Sequence, residues 1–206
     1  MTVFKQFLYH KIVAIIRGAD PANALEIVHA LYEGGIRILE ITLNSPDALK
    51  VIQAVEKEMR NFVTIGAGTV LDAETAKAAI SVGAKFIISP IVEEETIKVT
   101  KQNGAVSIPG AYTPSEIVRA HLYGGDIIKI FPSPSLSYFK NLYGPFQDMM
   151  FMPTGGIDLD NIVEFKNAGA VAFGIGSSLV DTRHKITDEY LNNIKVKAQQ
   201  FVLAIK

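Results

Sequence analysis

The chain has 206 residues, 49% of them hydrophobic and 20% charged, which suits one soluble globular domain with a substantial core. Its 20 basic residues stand against 21 acidic ones for a net charge of −1, so no face is advertised to nucleic acid and no polybasic run to a membrane. The absence of cysteine excludes a disulfide scaffold, thiolate metal sites and cysteine nucleophiles.

Met1–Lys11 alternates charged and aromatic residues and lacks the apolar core of a signal peptide. No apolar run approaches the ~18 residues of a membrane span. A reducing, cytoplasmic compartment is the expectation. A helix is expected in this first segment, followed by a strand near 12–16 that ends Ile15-Ile16-Arg17-Gly18. Asp20-Pro21 then opens a helix over Ala22–Tyr32, and Gly34-Gly35 closes it. The second strand, near 37–42, runs into Leu43-Asn44, and Ser45-Pro46-Asp47 starts the helix Ala48–Met59.

A third strand near 62–66 leads into Ala67-Gly68-Thr69, with a helix opened by Asp72-Ala73-Glu74. Further strands fall near 85–88, 105–108, 126–130, 150–153 and 170–174. The helices between them include Glu93–Gln102 and those opened at Thr113-Pro114-Ser115-Glu116 and Asp158-Leu159-Asp160. Glycines at 83, 104, 124–125 and 169 fit the helix ends before the next strand. Each unit takes about 20–25 residues without a linker or low-complexity break. Strict alternation of this kind predicts an α/β protein, a single (β/α)8 TIM barrel over 1–206 with an extra N-terminal helix. An open doubly wound sheet is the less economical alternative.

Active sites of such barrels form at the carboxyl ends of the strands. Lys129, inside the apolar run Ile127-Ile128-Lys129-Ile130-Phe131, is the most telling residue there. A charged amine in such a strand costs several kcal/mol, and a neutral nucleophilic amine is the inexpensive alternative. Period-2 alternation puts Glu40, Thr42 and Asn44 on one face of the second strand, and the outer face must meet apolar helices. Glu40 therefore points inward and needs a partner. A purely structural Glu40–Lys129 ion pair is the bland reading, an acid/base–amine site the functional one.

Arg17 is a ready partner for a carboxylate or phosphate, or else a rim residue paired with Asp20. Gly155-Gly156 and Gly174-Ile175-Gly176, with Ser177 following, suggest a phosphate cradle backed by the next helix N-termini. Neither Gly66-Ala67-Gly68 nor Gly174-Ile175-Gly176 completes a dinucleotide fingerprint, because Leu71 and Leu179 stand at the third glycine position. His10, His29, His121 and His184 are scattered without metal-ligand spacing and read as surface or packing residues. Lys85 and Asp126 begin strands, at the wrong end for chemistry.

Seven motifs occur in order: Ile12-Val-Ala-Ile-Ile-Arg-Gly18, Leu39-Glu-Ile-Thr-Leu-Asn-Ser-Pro46, Gly66-Ala-Gly-Thr-Val-Leu71, Ser89-Pro90, Ile108-Pro-Gly110, Ile128-Lys-Ile-Phe-Pro132 and Pro153-Thr-Gly-Gly156. From about Lys11 to Val180 the chain closely resembles the 2-keto-3-deoxy-6-phosphogluconate aldolases, also credited with 4-hydroxy-2-oxoglutarate cleavage. The resemblance implies a class I aldolase without metal or other cofactor, commonly a homotrimer, acting on a phosphorylated 2-keto-3-deoxy sugar acid. It implies Lys129 as the Schiff-base lysine and Glu40 as the general acid/base. Thr69 matches a contact to the pyruvyl carboxylate, and Pro90 and Phe131 line the pyruvate pocket. Gly155, Gly156, Gly176 and Ser177 match the phosphate region.

Where many members carry an arginine for the carboxylate, this chain has Asn44, and Arg17 is the candidate to supply the missing cation. Asn44-Ser45-Pro46 looks like the galactonate-type aldolases, which cleave the C4 epimer, whereas Thr154 matches the gluconate type. The gluconate substrate is the first reading, with the galactonate epimer and a non-catalytic phosphosugar-binding barrel as alternatives.

Overall fold

The computed structural model describes residues 1–133 and 135–206. It opens with α1 (Val3–His10), whose Thr2 side chain accepts from the Lys5 backbone N–H. There follow β1 (Ile12–Ile16), α2 (Pro21–Glu33), β2 (Ile38–Thr42), α3 (Ala48–Met59), β3 (Thr64–Gly68), α4 (Ala73–Ser81), β4 (Phe86–Ile88) and α5 (Glu94–Gln102). The second half comprises β5 (Val106–Ile108), β6 (Gly110–Ala111), α6 (Pro114–Leu122), β7 (Ile128–Ile130), α7 (Leu136–Leu142), β8 (Phe151–Pro153), α8 (Ile162–Asn167), β9 (Phe173–Ile175) and α9 (Asp188–Ala204).

All strand pairings are parallel, in a curled α/β arrangement. Six strands lie in the order β5-β4-β3-β2-β1-β9 and three in the order β6-β7-β8. A parallel bridge between Thr154 and Gly174 joins the ends of β8 and β9. The fifth predicted strand, near 105–108, is β5, and Pro109, with no N–H to give, separates it from a further short strand, β6. The Pro109 carbonyl still accepts from Lys129 N at 2.9 Å, so β7 runs alongside both.

Several predicted boundaries move. The third strand runs two residues later than expected, since Ala67 and Gly68 pair with Ile41 and Thr42. The last begins at Phe173 rather than 170. Asp20, Asp72 and Thr113 cap their helices with side-chain oxygens, Thr113 in a complete capping box with Glu116. Asp47 does not, for it is left-handed and its side chain makes no cap bond. Ser45 is drawn instead to β1, accepting from Gly18 N at 2.7 Å. Asp158 spends its carboxylate on the N–H groups of Asp160 and Asn161, and α8 starts only at Ile162.

Buried apolar side chains form two clusters. The larger joins the outer strand faces to the helices, including Ile16, Leu39, Ile65, Ile130 and Phe151. The second consists of Val13, Ile38, Phe86, Ile88, Val106, Ile108, Ile127, Met152 and Ala172, together with Phe7 of α1. It draws on both sheets and lies toward the amino ends of the strands. Phe7 meets Phe86 edge-on at 5.0 Å, so α1 covers that end. Among the described residues no helix is long and apolar enough to cross a membrane.

Candidate active site

The polar residues that the alternation of β2 sends inward are fully buried: Glu40 and Thr42 both have 0% exposure. Space for Glu40 comes from β3, where Gly66 stands beside it in register. A Cβ at Gly68 would overlap the Glu40 carboxyl group, and one at Gly66 would meet the Phe86 ring. These two glycines therefore serve close packing within a strand. Gly68, expected just past the end of the third strand, is thus part of it.

Glu40 is buried with neither carboxyl oxygen hydrogen-bonded among the described residues. Such orphaned oxygens cost about 1–3 kcal/mol if nothing meets them, more if charged, and are retained where a ligand or proton transfer uses them. Burial pushes the Glu40 carboxyl above the ordinary range, against the opposing pull of Lys129 and Arg17. Lys129, in the middle of β7, is only 4% exposed. Burial lowers its pKa, Glu40 works against that shift, and Arg17 adds to it. The two groups thus sense each other but form no ion pair within 4.0 Å among the described salt bridges. The bland expectation of a closed structural pair is not what the fold builds. Instead Lys129 Nζ stands 4.6 Å from the centre of the Phe131 ring.

Above Lys129, at the carboxyl ends of the strands, opens a cavity of about 490 Å³. Arg17, Lys129, Phe131, Thr154, Gly155, Gly176 and Ser177 line it, seven of the residues expected from sequence. Arg17 Nη1 donates to Asn44 Oδ1 at 3.1 Å and to Thr69 Oγ1 at 3.4 Å, so three adjacent strand ends meet at one guanidinium. Arg17 has no carboxylate partner among the described residues, and Asp20 is occupied as a helix cap. Thr69 holds φ +58°, a region where a β-branched residue is strained by about 1–3 kcal/mol, as happens at ligand-binding positions. Pro90 follows β4 and packs where a Cβ on Gly110 would fall, outside the cavity wall itself.

The glycines of the last two strand ends divide by role. Gly174 gives room to the Thr154 side chain, whereas Gly156 and Gly176 face open space. Gly155 and Gly156 are both left-handed, at φ +87° and +73°. The backbone N–H groups of Gly155, Gly156, Gly176 and Ser177 meet no acceptor among the described residues. The expected helix N-termini directly behind them are not there. After β9 a turn folds Leu179 and Val180 N–H back onto Gly176 O, and seven residues of loop precede α9. Dipole support at this spot is therefore replaced by turn N–H groups alone.

Sequence reasoning missed the loop that completes the wall: Asp181, Thr182 and Arg183 also line the cavity. Thr182 Oγ1 donates to Arg17 O at 2.6 Å, a contact across 165 residues with no local signal in the sequence. Lys85 and Asp126, discounted from sequence, pair with Glu56 and Lys101 away from the cavity. No group of three His, Asp or Glu side chains is placed to hold a metal ion among the described residues.

The family model for KDPG and KHG aldolase matches residues 4–196. The chain belongs to that family. It is 36% identical over 171 residues to the 2-dehydro-3-deoxy-phosphogluconate aldolase of Pseudoalteromonas atlantica, covering 82% of this chain and 79% of that protein. It is 34% identical over 171 residues to the probable 2-dehydro-3-deoxy-6-phosphogalactonate aldolase of Rhizobium meliloti, covering 82% and 81%. Among solved structures it is similar to KDPG aldolase from Legionella pneumophila with pyruvate captured at low pH as a covalent carbinolamine, with a TM-score of 0.84, 26% identity and 97% of each chain covered.

Proposed function

We propose that this chain is a class I aldolase that cleaves 2-dehydro-3-deoxy-6-phosphogluconate to pyruvate and glyceraldehyde 3-phosphate, and 4-hydroxy-2-oxoglutarate to pyruvate and glyoxylate. The observation that carries the proposal is the buried Lys129 amine, its pKa lowered by burial, near a buried Glu40 carboxyl, its pKa raised by burial, whose oxygens have no partner among the described residues. The reaction needs both in these states. Neutral Lys129 attacks the C2 ketone, giving a carbinolamine. Protonated Glu40 gives its proton to the carbinolamine oxygen, water leaves, and an iminium ion faces a carboxylate. That carboxylate then takes the C4 hydroxyl proton as the C3–C4 bond breaks, its electron pair moving into the iminium to make an enamine. The aldehyde departs, Glu40 returns the proton to C3, and hydrolysis frees pyruvate and the amine. The electron sink is the protein's own imine, which is why the scheme calls for no cofactor.

Arg17, with Thr69 and Asn44 fixing it, receives the substrate carboxylate in this reading, Phe131 flanks the pyruvyl group, and Pro90 backs the pocket from behind its wall. Gly155, Gly156, Gly176 and Ser177 present N–H groups to the distal phosphate. Holding both ends of the substrate supplies several kcal/mol of the barrier through orientation. Thr154, which lines the cavity beside Gly155, supports the gluconate over the galactonate epimer.

The proposal extends to the whole chain as one (β/α)8 barrel, cytoplasmic and assembled as a homotrimer. Continuity of β5 and β6 across Pro109, the Thr154–Gly174 bridge and an inner cluster shared by both sheets support the barrel. Leu71, Ile91 and Tyr112, exposed by 52%, 46% and 41%, follow neighbouring strands and support a subunit contact there. Borohydride reduction in the presence of pyruvate tests the central claim: the protein should gain one pyruvyl mass at Lys129. Pyruvate release from the two C4 epimers, assayed separately, should favour the gluconate form. No adduct and no pyruvate from either epimer would refute the reading.

A further inference from the structure

The cavity wall ends in a segment that is tied to the fold at two points while one of its side chains reaches into solvent. Tyr190 Oη accepts from Asp181 N at 2.8 Å and donates to Asp181 O at 2.7 Å, and Thr182 Oγ1 holds the Arg17 carbonyl at 2.6 Å. Arg183, one residue on, lines the same cavity as Lys129 and Ser177, yet its side chain is 84% exposed. Its guanidinium rests on Asp181, with Nε to Oδ1 at 2.8 Å and Nη2 to Oδ2 at 2.6 Å; His184 Nε2 stands 3.7 Å from the same Oδ2. A carboxylate lining an anion subsite repels the ligand unless a cation covers it. The guanidinium end of this pair is 84% exposed, so solvent screens it and a better anion can take it over.

We propose that Arg183 is the cation of the phosphate end: it leaves Asp181 to make a charge-assisted contact with the substrate's distal phosphate, opposite the backbone N–H groups of Gly155, Gly156, Gly176 and Ser177. The arrangement makes Asp181 a parking place for the guanidinium between substrates. It also makes Arg183, which no strand-end motif marks, the residue that separates phosphorylated substrates from their unphosphorylated counterparts. A planar fork suits three-oxygen phosphate better than a point charge. This inference rests on the aldolase reading above.

The experiment compares wild type, Arg183→Ala, Arg183→Lys and Asp181→Asn on 2-keto-3-deoxy-6-phosphogluconate and on 2-keto-3-deoxygluconate, by pyruvate release. Arg183→Ala should raise KM for the phosphorylated substrate about tenfold more than for the unphosphorylated one, as loss of one charge-assisted contact implies, with kcat little changed. Arg183→Lys should recover part of that loss, and Asp181→Asn, which frees the guanidinium, should lower the same KM. Equal effects of Arg183→Ala on both substrates would overturn the inference while leaving the aldolase reading intact. A wild-type protein that releases pyruvate from neither would sink both.

Discussion

Replacing Gly68 by alanine separates chemistry from stability at the centre of the site. The backbone there tolerates an L-residue, because Gly68 lies in regular β3 and is not among the positive-φ glycines. What an added Cβ meets is the Glu40 side chain: it would overlap the carboxyl group and stand 2.6 Å from Cγ. The obstacle is thus the far half of a flexible side chain, which must turn away from β3. Overpacking a buried spot costs about 1–3 kcal/mol, so the melting temperature should fall by roughly 2–4 °C for each kcal/mol. Catalysis should suffer far more. A displacement near 1 Å at a catalytic group costs about 10²-fold, and losing the base altogether about 10²–10⁴-fold. Steady-state pyruvate release should therefore show Gly68→Ala close to Glu40→Gln in kcat, with KM little affected in either. Because Lys129 is untouched, its pyruvate adduct should still form under borohydride, only more slowly, since the displaced Glu40 no longer protonates the carbinolamine oxygen. A Gly68→Ala protein that melts lower but keeps kcat within about threefold of wild type would refute the placement of Glu40 as acid and base.

Lys129→Met removes a buried amine whose pKa the fold depresses, so it should abolish turnover and raise the melting temperature at pH 7. The unfolded chain binds the lysine proton that the folded one resists, so the native lysine costs stability below its ordinary pKa; the gain from methionine should shrink as pH rises toward that value, as melting curves at pH 7 and 9 would record. Arg17→Ala should raise KM for the 2-keto acid about tenfold or more by removing a charge-assisted carboxylate contact. Since Arg17 also helps hold Lys129 neutral, the acid limb of the rate profile should move to higher pH in the same variant. Tyr143→Phe, which deletes the hydroxyl bonded to Gly169 O, should destabilise the protein by about 1 kcal/mol without altering kcat, as thermal melts beside the pyruvate assay would show.

The central strands could be read from sequence because β-branched runs between capping residues and glycines leave few choices. Lys129 and Glu40 stood out for the same reason: an ionisable group in an apolar strand is conspicuous. Asp20, Asp72 and Thr113 mark helix starts correctly since their oxygens find their partners within the first turn of the helix they open. Ser45 and Asp158 did not, because each has a competing partner, Gly18 N for one and a local turn for the other. Gly66 and Gly68 look like loop glycines in one dimension, and only the register with Glu40 shows them making room within a strand. Asp181–Arg183 reads as an ordinary polar linker. Its place in the wall depends on Arg17 and on Tyr190, and neither contact leaves a pattern among neighbouring residues.

Phe7 and its companions bear on where water can come from. Aromatic and aliphatic side chains fill the strand ends away from the cavity, and the cavity that reaches Lys129 opens on the opposite side, where substrate enters. A bound sugar acid is then also a stopper. While it sits there, protons circulate between amine, carboxyl and substrate without leaking to bulk, and the amino-terminal helix, remote from every bond that breaks, acts as the seal on which that privacy depends.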